Sequence, residues 1–164
     1  MHPNEKLIET LYTSFQNLDA GAMLRCYHAD AHFSDPVFPL LAGREVGAMW
    51  VMLCSQAKNF ELTFADVRAD DALGKAHWEA RYKFSASGRL VHNKIDAEFE
   101  FQDGKITKHT DRFDFWRWSR MALGPVGLLL GWTPLLRHKV RNQARERLEK
   151  FMGSQESAGV RIVG

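Results

Sequence analysis

Four segments between residues 60 and 115 alternate between apolar and polar side chains. In the clearest of them, residues 76–84, apolar side chains occupy the even positions and charged or histidine side chains the odd ones. A period of two is typical of a strand with one buried face. Ser87-Gly88 and Asp103-Gly104 favour tight turns between segments. The pattern predicts a meander of antiparallel strands, the last of which runs over residues 105–115.

Helical periodicity precedes these strands. Asn4 is predicted to cap a first helix and Asp19 a second, shorter one. A short strand is predicted over residues 31–35, ending before Pro36. Residues 46–54 then carry apolar side chains at helical intervals of three and four. Helices first and strands later indicate an α+β fold with the helices on one face of the sheet.

The charge of the chain is uneven. Residues 1–115 carry 13 basic and 17 acidic side chains, whereas residues 116–150 carry 8 basic and 2 acidic ones. The first part of this basic segment, residues 116–134, is rich in Trp and Gly and predicts a flap that closes a pocket or covers a dimer face. A last helix follows, and residues 153–164 are predicted to form a disordered tail.

The sequence allows two interpretations of the basic segment. A solvated helix face is the simple interpretation, and we predict no nucleic-acid partner. The alternative is contact with a membrane surface, which combines apolar side chains with a following run of cations. The side chains in question are Trp118, Leu128, Leu129, Leu130, Trp132, Arg137, Lys139 and Arg141.

Several classes of protein are disfavoured. Cys26 and Cys54 lie in apolar helical stripes, which predicts buried reduced thiols. The N-terminus lacks a basic-then-apolar signal, so a cytoplasmic location is expected. Residues 121–136 are too short and too interrupted by Gly and Pro to span a membrane. His28 and His32 straddle a predicted helix end, and no phosphate-binding loop occurs, so neither metal nor cofactor is predicted.

One stretch resembles a known signature. Residues 26–36, CYHADAHFSDP, followed by Gly43-Arg44-Glu45, are similar to the pattern YxxDAxxxDP…GRE of NTF2-like proteins, which include SnoaL-like cyclases and ketosteroid isomerases. The resemblance implies a conical fold over residues 1–116, with a curved antiparallel sheet wrapped around N-terminal helices. It also implies a pocket for a small hydrophobic molecule and a homodimer. Residues 117–152 would be an extra C-terminal helical extension.

The isomerase resemblance suggests three catalytic candidates. Asp35 occupies the position of the general base, and a carboxylate beside the apolar Phe33 has its charged form disfavoured. The alternative is an ordinary turn residue before proline. Asp96 resembles the oxyanion-hole acid, although its strand parity matches charged neighbours. Leu11 aligns with the isomerase tyrosine, and Tyr12, one step away, is rotated by about 100° on a helix. The complete isomerase set is therefore not expected.

A second pair, His109 and Asp111, shares strand parity with Phe113. If Phe113 faces inward, the pair does too and could act as acid and base. Asp111 also resembles an aspartate of limonene-epoxide-hydrolase-like proteins, whose Asp–Arg–Asp relay would need Glu79 and Arg81 here. The alternative is a buried histidine satisfied by a carboxylate.

These observations give a functional hypothesis with two rivals. Phe33, Trp50, Phe113 and Trp116 are expected to line the pocket. The leading hypothesis is proton transfer on a hydrophobic carbonyl compound, of the ketosteroid isomerase or polyketide cyclase kind. The alternatives are a non-catalytic ligand-binding or scaffolding module and epoxide hydrolysis centred on Asp111.

Overall fold

The structure, a computed structural model, describes residues 1–160 of the chain. Helices come first and a four-strand meander follows, so the predicted α+β class is confirmed. Three further helices complete the described chain. The bounds are α1 Pro3–Gln16, α2 Ala20–Leu24, β1 Tyr27–Ser34, β2 Leu41–Ala42, α3 Arg44–Gln56, β3 Glu61–Ala69, β4 Leu73–Lys83, β5 Leu90–Gln102, β6 Lys105–Arg112, α4 Phe115–Leu123, α5 Pro125–Leu130 and α6 Pro134–Ser157.

All six strands form one curved sheet in the order β2-β1-β6-β5-β4-β3. Neighbouring strands are antiparallel except β1 and β6, which are parallel. The pairing of β3 with β4 shifts register between Ala65 and Arg68, and Asp66 adopts a φ of 55° there. Such a bulge bends a strand and increases its twist. It therefore contributes to the curvature with which the sheet wraps around α1.

The main core lies between α1, α3 and the concave face of the sheet. The apolar stripe of α1 supplies Ile8, Leu11 and Phe15, all nearly inaccessible to solvent. Phe15 packs edge-on against Trp50 of α3, with 5.1 Å between ring centroids. The strict alternation of buried and exposed residues along β5 matches a sheet with one covered face. Burial of one helix stripe and one sheet face thus explains the periodicities of the sequence.

The C-terminal helices are built into the same body. α4 and α6 share a second apolar cluster with the start of β5, while Leu148 of α6 is fully buried in the main core. Two ion pairs join α6 to the start of α3. Arg145 Nη1 lies 2.6 Å from Glu45 Oε2, and Arg44 Nη2 lies 2.8 Å from Glu156 Oε1. The extension therefore packs as part of the domain.

One helix cap and the end of the last strand differ from the predictions. The first helix is capped by His2, whose ring Nδ1 accepts the Asn4 amide at 3.2 Å, so Asn4 as the cap is wrong. The Asp19 cap of α2 is confirmed, since its carboxylate accepts the Ala22 amide at 2.9 Å. β6 ends at Arg112 because Asp114 caps α4.

The last helix extends into the tail that the sequence predicts to be disordered. α6 continues to Ser157, so residues 153–157 are helical where a disordered tail was predicted. The remainder of that tail includes residues 161–164, which lie outside the described residues. Within residues 1–160, no helix combines the length and the apolar character needed to cross a bilayer.

Replacement of Leu148 by alanine tests whether α6 is integral to the domain. Because the side chain is fully buried, Leu148→Ala is expected to lower the free energy of unfolding by about 2–5 kcal/mol. Leu135→Ala, on the same helix but 79% exposed, should change it by less than about 0.5 kcal/mol. Urea unfolding of both variants measures the difference. Equal stability of the two would show that α6 is dispensable for the fold.

Candidate active site

A cavity of about 600 Å³ opens between the concave face of the sheet and helices α3, α4 and α6. This volume is within the range of small-molecule sites. Most of the wall is apolar or aromatic, and four polar side chains interrupt it deep inside: Asp35, Tyr82, Asn93 and Asp111. A second depression, of about 560 Å³, lies near the start of α1, but its polar lining consists of surface groups such as Glu5 and Lys75. The first cavity is therefore the candidate site.

Asp35 is held by the turn that follows β1. Its Oδ1 accepts the backbone amides of Val37 and Phe38 at 2.7 and 2.6 Å, and its own amide donates to the Phe38 carbonyl. Arg141 of α6 fixes the same turn by donating to the Pro36 carbonyl at 2.9 Å. The other carboxylate oxygen accepts no hydrogen bond from the described chain. One oxygen is thus structural and the other remains available to a ligand.

The surroundings of Asp35 favour its protonated form. Burial raises the pKa from an ordinary 3.8 to about 7, and the negative charge of Asp111 raises it further, while the two backbone amides and Arg141 oppose the rise. A carboxyl group with a pKa near 7 can both accept and return a proton at neutral pH.

Asp111 ends a chain of buried hydrogen bonds. Its Oδ1 lies 2.9 Å from His109 Nε2, and the Trp78 indole N–H donates to the same oxygen at 3.2 Å. On the other side of the ring, His109 Nδ1 lies 2.7 Å from the Tyr27 hydroxyl. His109 is completely buried and Asp111 nearly so. With Asp111 ionised, Nε2 carries the proton and Nδ1 accepts from Tyr27, whose pKa burial raises well above its usual value.

Two polar groups of the cavity, Tyr82 and Asn93, were not among the predicted site residues. Trp118 Nε1–H donates to the Tyr82 hydroxyl at 2.9 Å, and burial raises the pKa of Tyr82 to about 12. The hydroxyl therefore stays protonated and can donate to a ligand. The buried Asn93 amide has no hydrogen-bond partner among residues 1–160. The signal was present, since Tyr82 shares the inward parity of Trp78 on β4 and Asn93 shares that of Ile95 on β5.

The predicted apolar lining is largely found, with one exchange. Phe33, Trp50 and Phe113 line the cavity, whereas Trp116 does not. The Trp116 indole N–H instead donates to the Leu128 carbonyl at 3.2 Å. Because α4 begins at Phe115, its buried face falls at residues 115, 118, 119 and 122. Trp118 therefore takes the place expected for Trp116.

Three of the five predicted catalytic residues do not line the cavity. His109 is fully buried beside Asp111, and Asp96 and Tyr12 lie elsewhere. Asp96 is on the outer face of the sheet, with a side chain 79% exposed and 2.7 Å from His77 Nδ1. Tyr12 is buried in the core between Phe64 and Trp78, and its hydroxyl has no partner in the described structure. Desolvation raises the pKa of Tyr12 well above its usual value. The structure therefore does not unite these two with Asp35.

The carboxylate relay of epoxide hydrolases is not formed by the expected residues. Arg81 is exposed on the outer face of β4, and Glu79 beside it pairs with His92 at 2.5 Å. Neither residue reaches Asp111, because odd-numbered residues of β4 face away from the cavity. Across residues 1–160, no group of three or more His, Cys, Asp or Glu side chains has a geometry suited to a metal ion.

Three solved structures illustrate which proteins share this fold. An NTF2-like protein of unknown function from Burkholderia pseudomallei is 15% identical over 74% of this chain and 98% of its own, with a TM-score of 0.64. A putative polyketide cyclase from Xanthomonas campestris pv. campestris is 21% identical over 71% and 94%, with a TM-score of 0.60. An LEH-like epoxide hydrolase from M. tuberculosis is 20% identical over 78% and 96%, with a TM-score of 0.63.

These similarities establish the fold, and the sequence itself establishes the family. No curated protein matches the sequence. Residues 8–109 match the SnoaL-like domain. This region covers more than half of the chain and includes β1, α3 and most of the meander. The chain therefore belongs to the SnoaL-like domain family, and it has an NTF2-like fold.

Proposed function

We propose that this protein binds a small apolar carbonyl compound in the cavity and catalyses proton transfer at the carbon next to the carbonyl group. One observation carries the proposal. Asp35 lines an apolar cavity with one oxygen free of protein hydrogen bonds and with its pKa raised to about 7. A general base works best when its pKa is near the working pH.

The proposed step begins at the free oxygen of Asp35. This oxygen takes the proton from the carbon next to the carbonyl, the C–H electron pair becomes a C=C bond, and the carbonyl π pair moves onto oxygen. The Tyr82 hydroxyl, oriented by Trp118, donates a hydrogen bond to the resulting enolate oxygen. In an isomerisation Asp35 returns the proton to another carbon. In a cyclisation the enolate carbon attacks a second carbonyl of the same molecule and the new alkoxide takes the proton.

Asp111 is proposed as a positioning residue. The Trp78 indole N–H donates to one of its oxygens, and His109 Nε2 lies at hydrogen-bond distance from the same oxygen, so this oxygen is occupied by protein partners. The negative charge of Asp111 contributes to the raised pKa of Asp35. The Tyr27–His109–Asp111 chain would keep this charge at a fixed point of the wall.

The structural neighbours support the fold on which this proposal rests, and they do not select a reaction. One is named a putative polyketide cyclase and another an LEH-like epoxide hydrolase. Their identities of 21% and 20% support the fold, and fold alone does not decide function. We favour carbonyl chemistry over epoxide hydrolysis because Arg81, the expected centre of the relay, faces away from Asp111.

A non-catalytic binding protein is the second candidate. The two backbone amides on Asp35 Oδ1 also form an ordinary turn, which would serve structure alone. The two candidates agree that an apolar molecule occupies the cavity. They differ in whether Asp35 moves a proton, and exchange of a carbon-bound proton measures this directly.

Deuterium exchange tests the catalytic proposal. A hydrophobic bicyclic β,γ-unsaturated ketone is incubated with protein in D₂O, and deuterium uptake beside the carbonyl is followed by NMR. Asp35→Asn is expected to slow the exchange by about 10²–10⁴-fold, because the base is lost. Tyr82→Phe should slow it by about 10²–10³-fold, because a donor to the enolate oxygen is lost.

Asp96→Asn serves as the matched control, since it alters a carboxylate on the outer face. It should exchange at the wild-type rate. Binding of the ketone is measured separately by isothermal calorimetry. A wild-type protein that binds the ketone but exchanges no faster than Asp35→Asn would support the binding protein instead.

Stability measured against pH tests the environment of Asp35. Between its ordinary pKa of 3.8 and about 7, the folded protein holds a proton on Asp35 that the unfolded chain has lost. The contribution of this residue to stability therefore falls as pH rises through that window. Asp35→Asn keeps an oxygen for the two amides and removes the titration. Its stability relative to wild type should rise by ~1–4 kcal/mol from pH 4 to pH 7.

Urea unfolding at several pH values measures this difference. Asp30→Asn, an exposed carboxylate on the same strand, is the control and should show no such trend. A flat difference between Asp35→Asn and wild type would mean that Asp35 is well solvated. The raised pKa, and with it the choice of Asp35 as base, would then be wrong.

A further inference from the structure

α5 and the residues that follow it expose six large apolar side chains between residues 126 and 135. Their exposed fractions lie between 47% and 79%, far above those of core residues. We call this set the α5 surface. Its members are Val126, Leu128, Leu129, Leu130, Trp132 and Leu135.

The glycines of α5 face the rest of the protein and its leucines face the solvent, which is opposite to the usual orientation of a surface helix. A Cβ added at Gly127 would lie 1.9 Å from the Ser119 carbonyl oxygen, and one at Gly131 would lie 2.1 Å from Ser119 Oγ. The glycines therefore face α4 closely, and the leucines face outward. A surface helix in water normally directs its leucines inward and its polar residues outward.

The hydrogen bonds at the C-terminal end of α5 suit a low-dielectric environment. A helix in water can leave its last carbonyls to the solvent, whereas a helix within lipid must satisfy them from the protein. All four final carbonyl groups accept a hydrogen bond from within the chain. The pairs are Gly127 O from Gly131 N at 2.9 Å, Leu128 O from Trp116 Nε1 at 3.2 Å, Leu129 O from Trp132 Nε1 at 2.9 Å and Leu130 O from Thr133 N at 2.9 Å.

The charged side chains that flank the α5 surface in sequence are all basic. From residue 115 to residue 145 the chain carries six basic and no acidic side chains. Arg117, Arg120, Arg137 and Lys139 are exposed, and none of the four forms an ion pair with a residue of the described chain. These cations flank the apolar side chains in sequence on both sides.

We propose that the α5 surface docks onto an anionic lipid bilayer. The leucines and Trp132 enter the boundary between headgroups and acyl chains, and the flanking cations contact lipid phosphates and carboxylates. A second copy of the chain fits less well, because a symmetric contact through this surface would bring identical basic residues together. The proposal does not depend on the function of the cavity.

Vesicle flotation tests the proposal with the full chain. Wild-type protein is mixed with phosphatidylcholine vesicles that contain or lack phosphatidylserine. It is expected to float with the anionic vesicles, more weakly with the neutral ones, and less at high salt. Leu129→Gln should lower the partition coefficient about tenfold, and Lys139→Gln about fivefold.

Matched control variants separate docking from general changes of the surface. Leu73→Gln removes an exposed leucine at the start of β4, outside the α5 surface, and Lys6→Gln removes an exposed cation of α1. Both should float like wild type. Circular dichroism confirms that each variant is folded, as expected for exposed positions.

Three results would overturn the proposal. The first is no flotation with anionic vesicles. The second is flotation that Leu129→Gln and Lys139→Gln leave unchanged or that the controls weaken equally. The third is a stable dimer in sedimentation velocity that Leu129→Gln dissociates, without vesicle binding by the wild type, because a second copy would then cover the α5 surface.

Discussion

Two carboxylates, Asp35 and Asp111, share one apolar cavity, and burial of charge there is unfavourable unless hydrogen bonds or protonation offset it. The two carboxylates have different hydrogen-bond partners. Asp111 accepts the indole N–H of Trp78 and lies at hydrogen-bond distance from His109, so side chains provide its partners. Asp35 receives only backbone amides, which do not offset its burial, and its pKa rises to about 7. The two carboxyl groups therefore have different environments, which is the way in which one site can give two carboxyl groups separate acid–base roles.

The pleat of the sheet decides which carboxylate reaches the cavity. Asp96 pairs across the sheet with Arg112, and the next residue, Ala97, pairs with Asp111. Cross-strand partners point to the same face, so one step along β5 or β6 separates the cavity from solvent. Charged residues of the outer face satisfy one another there, as in the pair of Arg112 with Glu98. On the inner face the few polar groups depend on specific buried partners, as Asp111 does on Trp78 and His109.

Local periodicity was sufficient to predict the strands, the α+β class and the inward parity of His109 and Asp111. It was insufficient where the position of one element depends on another. The Asp114 cap sets the rotation of α4 and therefore selects Trp118 rather than Trp116 for the cavity. The role of Tyr82 depends on that tryptophan, so strand parity alone did not identify it. The resemblance to ketosteroid isomerases correctly located Asp35 near the cavity but placed Asp96 by alignment, which ignores the direction of the side chain.

The C-terminal extension connects the two proposals physically. Trp118 of α4 orients the Tyr82 hydroxyl, and Arg141 of α6 fixes the turn that holds Asp35. Both polar groups of the proposed reaction are thus positioned by helices on either side of α5 in the sequence. Val140 and Ala144 of α6 also line the cavity, so a displacement of the extension would alter both the wall of the site and the contacts of its polar groups.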